Sequence, residues 1–543
     1  MSPATIQGVP VRDNRWMTIS DTDLWTYITE HDTTVMVGVK APGTARGMYR
    51  AQRLVSDAVW QRAVQTLTTA HGGTVLNVDE VIPAVLIQVS SVEQLRKLRA
   101  HPFIDYIEPA VLNSADPIAA PAAPAFQLGL RPSEKRLSSS SSSSSGGDPN
   151  YGAYYLNGDS VPWIFNKMEI DQAWRRSTGA GVVIGLIDSG IDIWQYGHQL
   201  SNFAAKRVNP SEPLQDTFGH GTHQAGVLAA KRDGYHVVGV AYGSSPLSIK
   251  HSDFYLDVST WRVAAALDTA VKYNAKVVQM AFRCEDESNA VSDRLSLYYW
   301  SPSYDVLFTA AVGSAGWWGQ LVEGAMFPAV HPDVIAVSAI DFYTDTRYSG
   351  SHHSDKVELS AYHGQPTVGA IGLGEPEWTT SANSSNASTI VAGVAALVRS
   401  KYPSMRNYEV RQRLISTARD IGPTGRDPDS GYGLVMAMRA VGGMWNAEIL
   451  GNTVSGGGYN EPETMDLTAN PLGGEGPYSY RWLGLFNGVT ARTIRVTVSQ
   501  GDPTHHYSVE VTDHSDGSTK IASVAINPPP GNTTCNDPTV LVC

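Results

Sequence analysis

Three short segments of this chain carry residue types that can do nucleophilic and acid–base chemistry. Asp188 directly follows the apolar run Val182 to Ile187 and is followed by Ser189 and Gly190. Taken alone it reads as a turn aspartate, yet the carboxyl ends of parallel strands are where functional groups project into a crevice. His220-Gly221-Thr222-His223 opens a small-residue stretch, Ala225 to Ala230, which puts an imidazole at a helix start beside glycines that permit close approach. The two histidines are three positions apart, whereas zinc helices space theirs four apart with an acid nearby, so no metal pair is expected. Asn383 to Thr389 holds serines at 384, 385 and 388 and runs into Ile390 to Leu397, apolar or small on every face. A helix of that kind is buried. A serine in its first turn has free N–H groups and the positive end of the helix dipole beside it, which suits a developing oxyanion. Asp, His and Ser in this order can supply an orienting carboxylate, a general base and a nucleophile.

These groups need a rigid frame. Val182 to Ile187, Val237 to Val240, Lys276 to Met280, Val306 to Ala311 and Val334 to Ala339 are short, near-continuous apolar runs alternating with helical patterns. They predict an α/β block over 151–445, a parallel sheet with helices on both faces. A smaller α+β block precedes it over 33–112. Its expected order is strand (Thr34 to Val39), helix (Asp57 to His71), strand (Val81 to Val89), helix (Ser91 to Leu98) and an extended run (Ile104 to Val111), which suits a ferredoxin-like split βαβ unit. Between the blocks, 113–150 is rich in Pro and Ala and then carries eight serines, Ser138 to Ser145, a composition that cannot offset its ordering entropy. From 452 to 530, alternation in Thr493 to Val498 and Tyr507 to Val511 replaces helical periodicity and predicts a small β-sandwich, followed by a tail, 531–543.

Composition narrows the function. The 543 residues carry 40 basic and 52 acidic side chains, a net charge of -12 that disfavours nucleic acid and anionic membrane surfaces. No apolar run reaches the roughly 20 residues that span a bilayer, and Met1 to Arg15 lacks the pattern of a signal peptide. Three cysteines make no disulfide framework. Cys535 and Cys543 lie close enough in the tail to bridge in an oxidising compartment, and Cys284 reads as a buried small hydrophobe.

The middle block resembles a subtilisin-type serine protease over essentially its whole length. Asp188-Ser189-Gly190-Ile191-Asp192 resembles the family's aspartate motif, and Gly219 to His223 with Ala225-Gly226 matches its histidine motif almost residue for residue. Gly239-Val240-Ala241, Phe327-Pro328-Ala329 with Val334 to Val337, and Gly431-Tyr432-Gly433 add to the match, while Val391-Ala392-Gly393 sets the register of the serine motif. The resemblance implies a triad of Asp188, His220 and Ser385 acting by acyl transfer on a protein or peptide substrate, with no cofactor in the chemistry. Family members often bind structural calcium, for which no ligands are assignable here. It further implies that 33–112 is an inhibitory propeptide, the chain's own intramolecular partner, cut within 113–150, and that 452–530 is an Ig-like domain of the PKD type. Together with the Cys535/Cys543 spacing this favours a secreted protein, and the absent signal pattern favours a cytoplasmic one.

Three departures from the family pattern bear on activity. Asn383 stands where the serine motif has glycine and, with the Ser314 hydroxyl or a water, is a candidate substitute for the family's oxyanion donor. Ser314, in Ala310-Ala311-Val312-Gly313-Ser314, stands where the family has its oxyanion asparagine. Arg283, in Ala281-Phe282-Arg283, replaces a glycine of the stretch that, with Ala311, Val312 and Gly313, borders the primary specificity pocket. It could refuse basic side chains, accept acidic ones or point into solvent, and solvent is the expectation. An endopeptidase made as a zymogen is the favoured reading; a weakened or inactive relative used as a binding scaffold is the rival.

Overall fold

In the computed structural model, residues 15–30, 33–39, 65, 73–79, 81–112, 153–156, 159–252, 258–283, 287–314, 324–381, 383–442, 446–455, 462–472, 477–499, 502–514 and 519–526 are described. The chain divides into two units, Met1–Ala440 and Val441–Cys543. The first begins with helices Arg15–Thr18 (α1) and Asp21–Thr29 (α2), which the periodicity did not anticipate. Ser20 caps α2, its Oγ accepting from Asp23 N. Strands Thr34–Val39 (β1), Thr74–Val78 (β2), Ala84–Gln88 (β3) and Ile104–Pro109 (β4), with helix Val92–Arg99 (α3), build an antiparallel sheet in the order β2-β3-β1-β4. The strand expected over 81–89 is shortened to β3, and β2 is additional. The helix expected over 57–71 lies, apart from Gln65, outside the described residues, as do 113–150, Cys284 and the tail with Cys535 and Cys543.

Then come Val183–Asp188 (β6), Ala204–Arg207 (β7), helix His220–Ala229 (α4), Ser245–Lys250 (β8), Val258–Ser259 (β9) and helix Thr260–Lys272 (α5). Val277–Met280 (β10), helix Asn289–Trp300 (α6), Leu307–Ala311 (β11), Val334–Ile340 (β12), Leu359–Tyr362 (β13) and helix Asn383–Lys401 (α7) follow. Seven parallel strands form the sheet β13-β12-β11-β10-β6-β8-β7. β10, β11 and β12 are buried at every position, which is why their sequences are continuous apolar runs rather than alternating ones.

Alternation of side chains places helices on both faces. A Cβ on Gly185 would meet Ala270 of α5 and Val278, whereas the neighbouring Gln279 points the other way and its Nε2 donates to Ser388 Oγ of α7 at 3.0 Å. Strand order reverses at β6, so Asp188 ends the strand at the topological switch point, where doubly wound sheets open a crevice. The run Val237 to Val240, expected as a strand, is a buried loop lying on α4, with Val240 N donating to Val227 O at 3.0 Å. β8 takes its place in the sheet; Pro246 and Ser248 interrupt the apolar pattern that would have revealed it.

The β1–β4 sheet packs on α6 through Met36, Ile82, Ala84, Tyr106 and Ala290, with Trp261 against them. Glu108, fully buried, caps α6: its carboxylate accepts from Asn289 N at 2.7 Å, Ala290 N at 3.2 Å, Ser288 Oγ at 2.9 Å and Asn289 Nδ2 at 3.0 Å. Arg294 of α6 joins Asp79 of the small sheet to Asp268 of α5. Beyond β4, Val111–Leu112 (β5) pairs antiparallel with β9.

In the second unit, Asn446–Ser455 (β14), Glu463–Leu472 (β15), Tyr478–Leu483 (β16), Thr493–Val498 (β17), His505–Asp513 (β18) and Thr519–Ile526 (β19) make two three-stranded sheets, β14-β15-β17 and β16-β18-β19. They share a core of Leu467, Trp482, Val496, Val509 and Val511. Trp482 is wholly buried and its Nε1 donates to Ala491 O, which satisfies its one polar atom. No helix among the described residues is long and apolar enough to cross a membrane.

Candidate active site

The sheet delivers Asp188 and the helix α4 delivers His220. Asp188 is buried at the end of β6, and His220 Nδ1 lies 2.8 Å from its Oδ1 and 3.0 Å from its Oδ2. Ser189 N donates to the same carboxylate at 2.7 Å. Burial opposes the charge on Asp188, but His220, the Ser189 amide and His251 more than offset it, and the carboxyl is held below its ordinary value. Burial likewise opposes the imidazolium of His220; the charge and hydrogen bond of Asp188, with Asp216 further off, outweigh it and raise the histidine above 6.5.

Asp216, which the sequence reading passed over, shapes the loop into α4. Its Oδ1 accepts from Gly219 N at 2.8 Å and Ser189 Oγ at 3.0 Å, and its Oδ2 from Thr222 N at 2.9 Å and Thr222 Oγ1 at 2.6 Å. Gly221 must be glycine, since a Cβ there would sit 2.2 Å from Gly190 O. That close approach is what lets the histidine helix abut the aspartate strand.

Ser385 is the third residue of α7, which packs against α4 and is tied to it by Thr389 Oγ1 donating to Gln224 Oε1 at 2.8 Å. Its Oγ donates to Ala281 O at 3.4 Å. Asn383 begins the helix at φ 75°, a left-handed conformation that asparagine adopts more readily than most residues. Ser314 is not directed at open space. Ser384 Oγ donates to Gly313 O at 2.9 Å, so the Ser314 hydroxyl, 2.8 Å away, donates to Ser384 Oγ and accepts from Ser384 N at 3.3 Å. Nothing in the motif pointed to Ser384 in that role.

The segments beside the nucleophile are well buried: Ala281, Phe282, Ala311 and Val312 are all at most 4% exposed. Arg283 is half-buried, with its Nη1 2.9 Å from Met326 Sδ, and Met326 N in turn donates to Val312 O at 3.0 Å. His251 is fully buried, its ring 5.0 Å from that of Phe282, and burial pushes it down to about 4. Among the described residues, no group of three or more His, Cys, Asp or Glu side chains is arranged to hold a metal ion.

The subtilase family profile matches residues 179–433, the segment that contains all of these side chains. The chain is 30% identical over 301 residues to a thermostable alkaline protease of Halalkalibacterium halodurans, covering 54% of this chain and 78% of that protein. With a subtilisin of Bacillus pumilus it shares 31% identity over 266 residues, 48% of this chain and 93% of the relative. It also resembles the minor extracellular protease Epr of Bacillus subtilis, at 28% identity over 274 residues, 50% of this chain and 40% of that protein. The chain belongs to the subtilase family. It is a serine protease, a hydrolase of peptide bonds.

Proposed function

We propose that the chain is a secreted endopeptidase made as a zymogen, with Asp188, His220 and Ser385 as its triad. The observation that carries this reading is the Asp188–His220 pair at the sheet's switch point with Ser385 in the first turn of a helix packed on the histidine helix. Ser385 Oγ attacks the peptide carbonyl as His220 Nε2 takes its proton. The tetrahedral intermediate then expels the amine, which receives that proton from His220, and water repeats the sequence on the acyl-enzyme. Asp188 fixes the imidazole tautomer and stabilises its cation. The backbone amide of Ser385, in the first turn of α7, is the candidate oxyanion donor, while the Ser384 amide and the Ser314 hydroxyl are engaged with each other. The reaction needs no cofactor.

In this reading β1–β4 and β5 form the propeptide. Support comes from the buried Glu108 cap, the Asp79–Arg294 contact and the β5–β9 pairing, which together bind it to the catalytic block. Cleavage falls between Asn113 and Asn150, and the second unit is an Ig-like accessory domain. Secretion is supported by relatives such as the extracellular protease Epr. The full chain expressed in wild-type form should shorten to a core starting near Tyr151, read by intact mass and amino-terminal sequencing, while Ser385→Ala stays full length. One observation favours the rival scaffold reading, the engagement of Ser314 with Ser384 where an amide donor is expected. A wild type that remains unprocessed would decide for it.

The raised His220 has a kinetic consequence. Only the neutral imidazole can act as base, so kcat/KM of the processed enzyme should rise with pH through a single apparent value above 6.5. An acid limb centred below 6.5 would contradict the Asp188–His220 coupling.

A further inference from the structure

Exposed apolar side chains gather beside the loop that leads into His220. Two short 3-10 turns, Ile193–Gly197 and Ile371–Leu373, pack together and present Ile193, Trp194 and Leu373 at 45%, 66% and 43% exposure. Both turns are held by the fully buried Asp192. Its Oδ1 accepts from Trp194 N at 3.1 Å and Gln215 Nε2 at 2.9 Å, and its Oδ2 accepts from Gly372 N at 2.7 Å. The indole lies so close to the second turn that a Cβ on Gly372 would meet Trp194 Cδ1 at 2.7 Å. Glu375 joins that turn to α4: its Oε2 accepts from Ala370 N at 2.8 Å and lies 2.6 Å from His223 Nε2. Leu373 borders the residue before His220, with its Cδ1 3.5 Å from a Cβ built on Gly219. With about 3.8 Å between consecutive Cα atoms, the patch begins within about 10 Å of the His220 Cα, the span of roughly three extended residues.

We infer that Ile193, Trp194 and Leu373 form a subsite for a large apolar side chain, leucine or phenylalanine, within the first three substrate residues on the leaving-group side of the scissile bond. The inference rests on the assignment of the Asp188, His220 and Ser385 triad. His220 hands its proton to the leaving amine, so the peptide that carries this amine passes the histidine. The patch adjoins all three triad segments: the first turn follows Asp188 closely, Leu373 meets Gly219, and strand Trp378–Ser381 runs from the second turn toward α7 and Ser385. Contiguous exposed apolar side chains mark contact surfaces, and the substrate is the chain that must enter here in every turnover. An apolar residue seated on Trp194 and Leu373 withdraws the apolar surface of both partners from water. A serine would leave the patch wet. An aspartate would face the Glu375 carboxylate, whose Oε1 lies 3.7 Å from the same Cβ position on Gly219.

The test uses the processed enzyme, its active concentration set by fluorophosphonate titration of Ser385, and internally quenched peptides identical up to the scissile bond. One variable residue, Leu, Phe, Ser or Asp, is moved through the three positions after that bond. For the wild type, kcat/KM at one of these positions should be about tenfold or more higher for Leu or Phe than for Ser, with Asp lowest. Trp194→Ser and Leu373→Ser should each cut that ratio to about threefold or less, whereas Tyr343→Ser, at a side chain 87% exposed on another turn, should keep it. A wild type without an apolar preference at any of the three positions, or Trp194→Ser and Leu373→Ser proteins that retain the full ratio, overturns the inference. Loss of self-association in these two variants with no change in the ratio overturns it as well, and assigns the patch to a second copy of the chain. A wild type that takes no label at Ser385 instead removes the nucleophile assignment, and this inference with it.

Discussion

Replacing Ser385 by alanine should lower kcat for peptide hydrolysis by about six orders of magnitude, the loss seen in subtilisin itself when the nucleophile is removed. The triad acts as a unit, so His220→Ala should cost a similar factor and the double variant little more. Ser385→Ala does not disturb the core, since Ser385 is only partly buried and its hydroxyl bonds one carbonyl. Its melting temperature should therefore hold while turnover collapses, whereas His220→Ala also takes away the partner of the buried Asp188 carboxylate and should lose stability. Activity within tenfold of wild type in a folded Ser385→Ala protein would mean that another residue performs the attack.

Docking of the amino-terminal sheet should weaken as pH rises, with Glu108 as the titrating group. Burial raises this carboxyl from 4.5 to about 7, even though four donors favour its charged form. A group raised in the docked state binds its proton more tightly there. The contact therefore contributes fully below about 4.5 and is progressively lost as pH climbs through about 7. The interval between 4.5 and about 7 corresponds to roughly 300-fold in the docking equilibrium. Samples held at pH 5 to 8 and then assayed at one common pH should show active enzyme appearing sooner after the higher-pH incubations. Glu108→Gln, which cannot ionise, should flatten that dependence. A lag that varies with pH equally in both proteins would exclude Glu108 as its source.

Much of this architecture could be read from residue order because burial leaves a direct trace. β10, β11 and β12 are buried on both faces, so their runs are unbroken, and α7 is apolar all round because it lies inside the first unit. β8 was not legible, since Pro246 and Ser248 break its run while still fitting a strand paired on both sides. The loop at Val237 to Val240 misled for the opposite reason: it is apolar because it packs on α4 and against Gly393, and its pairing is a single bridge from Val237 to Ser160, outside the seven-stranded sheet. Helix α2 carried a readable signal, Ser20 with Asp23 three residues on, but at nine residues it is too short for periodicity to stand out. The pairing of Asp188 with His220 was legible as motif order. The partners of Ser314 and Arg283 were not, because they depend on residues 70 and 43 positions away that only the fold brings close.

The central claim, that Ser385 is the nucleophile of an Asp188–His220–Ser385 triad, is tested most directly by where a fluorophosphonate attaches. Wild-type protein treated with such a probe, digested and mapped by mass spectrometry should carry one phosphonyl adduct, on Ser385, and His220→Ala should carry almost none. An adduct on Ser384 or Ser388, or a folded wild type that takes up no probe, would contradict it.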